Sequence, residues 1–388
     1  MLAAAATATI SVRDPVVAWS YCLGIFLLAG YGAVGMALRP QPVALTLPGV
    51  CLVICLGLIS LWGFGQLAAG ATVYRYATWD AALRTAALGA TAFAASQTLA
   101  HPRLRRVFVS GFAWFGAAVS LLSVAAYFTS PGRVLWVFPS PYPDVWGPFL
   151  SRNDFAGFLE LSLPAALWRS LSPAPPAPRM PLRVPARRMP LWIPAWMLAA
   201  GLASASRAGA AVLVLEAAAI LVIYRRRSRA LRFTALVLVL AALSGAGTLL
   251  GRLHDPDPLR YRREIASSTL KMIAEHPWRG FGLGTYVHVY PAYAVFDPGA
   301  VVEHAHNDWL EWAAEGGVPL ALLWLVVALA IAGRAVRSVW GLGVLAVLLH
   351  ALVDYPFARF GLTAWNCALI GALSVAEVRE VKSGVHLA

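Results

Sequence analysis

Residues 303–320 read EHAHNDWLEWAAEGGVPL. Two histidines, an asparagine and four carboxylates (Glu303, Asp308, Glu311 and Glu315) stand directly before an apolar run that fills 317–334. A helix of that length crosses most of a bilayer's hydrocarbon core. The reading is a membrane helix with a dense polar cluster at its entrance, and chemistry is expected at that cluster.

The rest of the chain extends this reading. Its 388 residues are 60% hydrophobic and only 13% charged, whereas about a quarter of a soluble domain is charged. Apolar runs recur at roughly 16–38, 46–67, 81–100, 107–128, 154–171, 190–206, 208–224, 231–251, 317–334, 338–354 and 360–378. The fold class is therefore all-α: a polytopic membrane protein of about 11–12 transmembrane helices. A membrane β-barrel would show ten-residue alternation instead. The whole of 1–388 reads as one integral membrane domain, with N-terminal helices over 1–128 and one large loop over 252–316.

The net charge of +13 does not indicate nucleic acid. Basic residues gather in alternate loops: Arg39, Arg103–Arg106, Arg169–Arg188, Arg225–Arg232, Arg334, Arg337, Arg379 and Lys382. Such loops stay cytoplasmic, which puts the C-terminus in the cytoplasm and the 252–316 loop on the opposite side. Ser172–Met189 is Pro-rich and basic, an extended linker. The four cysteines lie inside apolar runs, with neither a disulfide framework nor metal-ligand spacing.

The 252–316 loop holds nine of the 18 acidic residues and five of the eight histidines. Within it, Tyr261–Glu275 has helical spacing, with Ile265, Leu270, Met272 and Ile273 apolar; His276-Pro277 ends the helix. GFGLGTY (280–286) reads as a tight turn rather than a nucleotide-binding fingerprint, since no strand precedes it. His304 and His306, two apart, do not form a zinc pattern, so no metal and no cofactor are expected. His306, followed by Asn307, suits proton transfer; a hydrogen-bonded structural histidine is the plainer alternative. Trp309 and Trp312 read as interfacial anchors, and Glu315 as a group that caps or orients the next helix.

Two arginines bear on phosphate. Arg207 interrupts SASRAGA between apolar runs, among the small residues Ser204, Ser206, Ala208 and Gly209. It either snorkels to the interface or, at a helix start with exposed backbone N–H groups, holds an anion. Arg262 stands on the loop helix beside Arg260 and Arg263, as part of a solvated basic face or as a second guanidinium for a diphosphate. Arg152-Asn153-Asp154 opens a span, with Asn153 or Asp154 as a candidate N-cap. His350 and Asp354, four apart, are a candidate hydrogen-bonded pair.

Taken in order, NDFAGFLEL (153–161), SASRAGA (204–210), RREIASSTLKMIAEHPWRGFGLGTY (262–286), HAHNDWLEWAAEGGVPL (304–320) and HALVDYPF (350–357) resemble the O-antigen ligase / Wzy-type polymerase superfamily over about 150–360. The resemblance implies a GT-C-like, metal-independent, inverting glycosyltransferase of the bacterial inner membrane. Such enzymes move a glycan from an undecaprenyl-diphosphate carrier to an acceptor sugar hydroxyl on the periplasmic face; the acceptor is lipid A-core in ligases and another carrier-linked repeat in polymerases. It also implies that Arg207 and Arg262 hold the diphosphate and that His306 acts near the acceptor. The candidate substrate-binding set is then Arg152, Asn153, Arg263, His304, Asn307 and Glu315, with His350 and Asp354 behind them. The expected partners are the lipid-linked donor, the glycan acceptor and membrane lipids, not nucleic acid. A small-anion transporter using the same arginines, or a scaffold within a polysaccharide assembly complex, are the alternatives of other classes.

Overall fold

The computed structural model describes residues 15–38, 46–142, 144–172, 188–224, 227–243, 260–297, 299 and 301–375. Most of the Ser172–Met189 linker, the start of the 252–316 loop and the basic residues Arg39, Arg379 and Lys382 lie outside the described residues. The chain forms two compact units: one from residues 1–100, 256–334 and 351–376, the other from 101–255, 335–350 and 377–388.

The first unit contains α1 (Pro15–Leu38), α2 (Leu47–Ala68), α3 (Arg75–Thr98), the loop helix α9 (Arg260–Glu275), the short α10 (Tyr286–Val289), α11 (Asp308–Ala335) and α13 (Phe360–Leu373). Helix α3 packs against α1, α2 and α13. Gly371 permits the last of these contacts, because a Cβ there would stand 2.3 Å from the Ala92 carbonyl oxygen. At the far end of α11, Arg334 ties the helix to Thr46 and to the carbonyls of Leu373 and Val375.

The second unit contains α4 (Pro102–Thr129), α5 (Arg152–Leu171), α6 (Trp192–Ala203), α7 (Arg207–Tyr224), α8 (Arg227–Leu243) and α12 (Leu342–His350), with a two-residue hairpin pairing Arg133–Val134 and Phe138–Pro139. Helix α5 is its centre. It is buried along almost its whole length and packs against α4, α6, α7 and α12. Pro164 lies inside α5; its missing N–H leaves the Glu160 carbonyl without its helical donor. Gly343 of α12 approaches at that point, where a Cβ would come within 2.8 Å of the Glu160 oxygen.

The described helices make an all-α polytopic membrane protein. Five (α1, α2, α4, α7 and α11) are long and apolar enough to cross a bilayer, and the regions of α6, α12 and α13 are shorter and apolar. The sequence runs at 81–100 and 154–171 and the described part of the run at 231–251 also form helices, but α3, α5 and α8 carry ionisable residues within or beside the apolar stretch. The expected run at 338–354 is divided, since its α-helix stops at His350.

Candidate functional site

In the first unit the site is built around a break in α11. Gly317 has φ +76° inside the helix, and Pro319 follows. Proline cannot donate to the carbonyl four residues back and crowds it; that carbonyl belongs to Glu315. It is not left bare: Gly282 N–H and Gln66 Nε2 donate to it at 2.9 and 2.8 Å. Ala314 O accepts from Phe281 N–H, and Val318 N–H donates to Pro277 O. The GFGLGTY turn thus supplies hydrogen bonds that the broken helix lacks. Gly280 is required at the contact: its φ is +63°, and a Cβ would stand 2.3 Å from the Glu315 carbonyl carbon.

Helix α9 covers this turn. Ile265 and Met272 are buried with Phe281, Tyr286, Val289, Tyr290, Ala305 and Ala314. Leu270 is exposed; in a 16-residue helix, position 270 lies about 160° from 272 at 3.6 residues per turn, off that stripe. Thr269 and Tyr286 share a hydrogen bond of 2.8 Å. Burial pushes the Tyr286 phenol well above its ordinary value, so it remains protonated.

The entrance to α11 gathers the polar cluster. Asn307 caps the helix, its Oδ1 accepting from Leu310 N–H at 3.1 Å, while its Nδ2 donates to Leu352 O at 2.8 Å. Asp308 accepts from Phe357 N–H at 3.0 Å. Glu311 takes His304 Nδ1 at 2.8 Å and Ala305 N–H at 2.8 Å on its two oxygens. Burial opposes a charge on His304, but the Glu311 carboxylate outweighs it and raises the imidazole above its usual value. Glu315 accepts from Tyr286 N–H at 3.0 Å.

Asp354 joins two of the sequence candidates. Its Oδ1 lies 3.3 Å from His306 Nδ1 and its Oδ2 3.4 Å from Arg262 Nη2. The Asp354 side chain is 4% exposed, while His306 and Arg262 are 31% and 30% exposed. A buried carboxylate therefore holds a guanidinium and an imidazole that both remain reachable. The bonds are long, as catalytic hydrogen bonds often are before substrate binds. His306 is also held at φ +52°, a left-handed conformation uncommon for a non-glycine residue and concentrated at functional sites. The Tyr355 ring lies between the histidines, stacked on His304 and edge-on to His306.

A cavity of about 250 Å³ adjoins this arrangement. His304, Asp308, Glu311 and Glu315 face it together with Arg84 of α3 and the indoles of Trp312 and Trp324. Trp312 stacks on Trp324 at 4.4 Å. Arg84 and Gln66 did not emerge from the sequence; both lie in the N-terminal helices, which carry no motif, although a polar residue inside an apolar run is itself a signal.

Of the remaining candidates, Arg207, Arg152, Asn153 and His350 lie in the second unit and Arg263 in the first. Arg207 is the first residue of α7, and the preceding Ser206 caps that helix by accepting from Gly209 N–H at 3.3 Å. Ala205, at φ +58°, turns the chain from α6 into α7. Arg152 pairs with Asp144 at 2.6 Å. The N-cap of α5 is Ser151, which accepts from Asn153 N–H, rather than Asn153 or Asp154. His350 closes α12, and Asp354 lies beyond that helix. The four-residue spacing thus loses its meaning, and His350 Nδ1 lies 2.7 Å from Glu160 Oε1. Arg263 is exposed on α9. Among the described residues no group of three or more His, Cys, Asp or Glu could hold a metal ion.

Residues 193–325 match the family model Wzy_C, described as O-antigen ligase. Over 225 residues the chain is 29% identical to a protein of Pseudomonas aeruginosa named O-antigen ligase; the aligned part covers 55% of this chain and 48% of that one. The chain thus spans about half the length of the relative it matches. Arg207, Arg262, His306 and Glu315 all fall within the residues matched by the family model.

Proposed function

We propose, from the match of residues 193–325 to the O-antigen ligase family model, that this chain transfers a glycan from an undecaprenyl-diphosphate carrier to an acceptor sugar hydroxyl at the periplasmic face of the bacterial inner membrane. The observation that carries the reading is Asp354, buried and joined at once to the guanidinium of Arg262 and the imidazole of His306.

The chemistry follows from those groups. Asp354 accepts from His306 Nδ1–H, which leaves Nε2 with the free lone pair. Nε2 takes the acceptor hydroxyl's proton as its oxygen bonds to the anomeric carbon. The bond from that carbon to the diphosphate oxygen breaks, and the diphosphate leaves with both electrons. Attack from the opposite face inverts the anomeric centre. The charge developing on the leaving group is met by Arg262, and Arg207 at the start of α7 is the second guanidinium in this reading. Arg152, Asn153, Arg263 and Asn307 are the further substrate-binding groups in this reading. The cavity faced by His304, Glu315 and the two tryptophans accommodates a sugar, its hydroxyls on the carboxyl groups and its apolar face on the aromatic wall.

The test is transfer by the purified full chain in lipid, with carrier-linked glycan as donor and chelator present. Product with an inverted linkage is expected. Activity lost to chelator and restored by added metal overturns the metal-independent mechanism. In a deletion strain, loss of long chains from lipid A-core with carrier-linked polymer retained marks a ligase. Accumulation of single repeats marks a polymerase, the alternative within the same chemistry.

A further inference from the structure

The second unit contains an ionisable cluster that the transfer reading does not use. Glu160 of α5, Glu216 of α7 and His350 of α12 are 0%, 6% and 1% exposed. His350 and Glu160 meet at 2.7 Å. Glu216 lies midway along α7, one of the helices able to cross a bilayer, and among the described residues neither of its carboxyl oxygens has a hydrogen-bond partner. The three helices pack against one another: α5 on α7 and α12, and α7 on α12. Glu160 faces Glu216 from α5 as its electrostatic neighbour, and α12 contributes His350. Helix α6, which also packs on α7, carries no ionisable residue.

A bare carboxylate without water or a donor is among the costliest groups to enclose in an apolar core, and it persists there when a cation or a proton neutralises it. The metal-ion geometry is not met among the described residues. The smaller ligand remains.

We infer that Glu216, together with the His350–Glu160 pair, is an exchangeable proton-binding site inside the helical core of the second unit. Loading adds one proton to the Glu216 carboxylate. Release returns that proton to water, with the His350–Glu160 pair setting the balance between the two states. No electron moves, and no co-reactant is needed. The site is independent of the transferase reading and stands even for a chain that transfers no glycan.

The experiment is pH-difference infrared spectroscopy of the full chain in lipid nanodiscs, following the carbonyl stretch of protonated carboxyl groups from about pH 5 to about pH 9. A band that titrates in this range, disappears in Glu216→Gln and moves its midpoint by about one pH unit in His350→Gln is expected. Glu216→Asp, which keeps a carboxyl and shifts the band, makes the assignment if the amide variant does not fold. A Glu216 band that never changes with pH overturns the inference, because the acid is then a fixed packing group. The absence of any band assigned to Glu216 overturns it equally, because the group is then ionised throughout.

Discussion

His306–Asp354 and His350–Glu160 are the same chemical pair in two settings. In the first unit the imidazole is nearly a third exposed and 3.3 Å from its carboxylate, which also reaches Arg262. In the second unit both partners are sealed, at 2.7 Å, in a helical core. The difference teaches what makes a histidine available. A loose contact at an opening permits proton exchange with a substrate, whereas a tight contact without an opening can serve only packing or an internal proton. Distance alone would have ranked the two pairs the wrong way round.

The largest loss is expected from His306→Ala. Transfer should fall by about 10²- to 10⁴-fold with little change in thermal unfolding, measured on the reconstituted protein; full turnover in this variant removes the proposed base. Arg262→Lys keeps the charge but loses the planar fork. A fall of about 10²- to 10³-fold in transfer is expected, again with the fold intact.

The sealed pair should answer in the opposite currency. Removing one partner, as in His350→Ala, should lower stability by about 3–5 kcal/mol, while replacing both Glu160 and His350 with well-packed apolar residues should be close to neutral. Denaturation of the two variants side by side decides this; equal losses would mean that the pair is not the source of the effect. Gly280→Ala should cost about 1–3 kcal/mol through its positive φ, with a further clash against Glu315, and unfolding midpoints read it.

The smallest effect expected is on pH dependence. His304 is raised above its usual value by Glu311. A raised folded value stabilises fully below the unfolded value of about 6.5 and is lost as pH rises through the folded one. The stability difference between the parent chain and His304→Gln should therefore be greatest in mild acid and shrink as pH rises. A difference that grows with pH would contradict the pairing.

Much of the architecture was legible because it is local. Apolar runs marked the helices, Pro277 marked the end of α9, and the cluster before 317–334 marked the first unit's site. Local spacing says little past an element's end: His350 and Asp354 are four apart in the chain, but the helix stops at His350. Gln66 gave no motif to find, since its partners Arg279, Leu283 and Glu315 lie more than 200 residues away in the chain, and Arg84 pairs with Asp80 on its own helix.

Hydrophobic length and backbone chemistry act over a few neighbouring residues, so the amino-acid order alone marks a helical membrane protein, an apolar run over 317–334 and a concentration of His, Asn and carboxylates at its entrance. Only the tertiary structure decided that Asp354 holds Arg262 and His306, that Gln66 and the Gly280–Tyr286 turn satisfy the broken helix, and that His350 turns to Glu160. Those pairings join residues 33 to 249 positions apart, and their geometry is set by how helices pack rather than by spacing along any one of them.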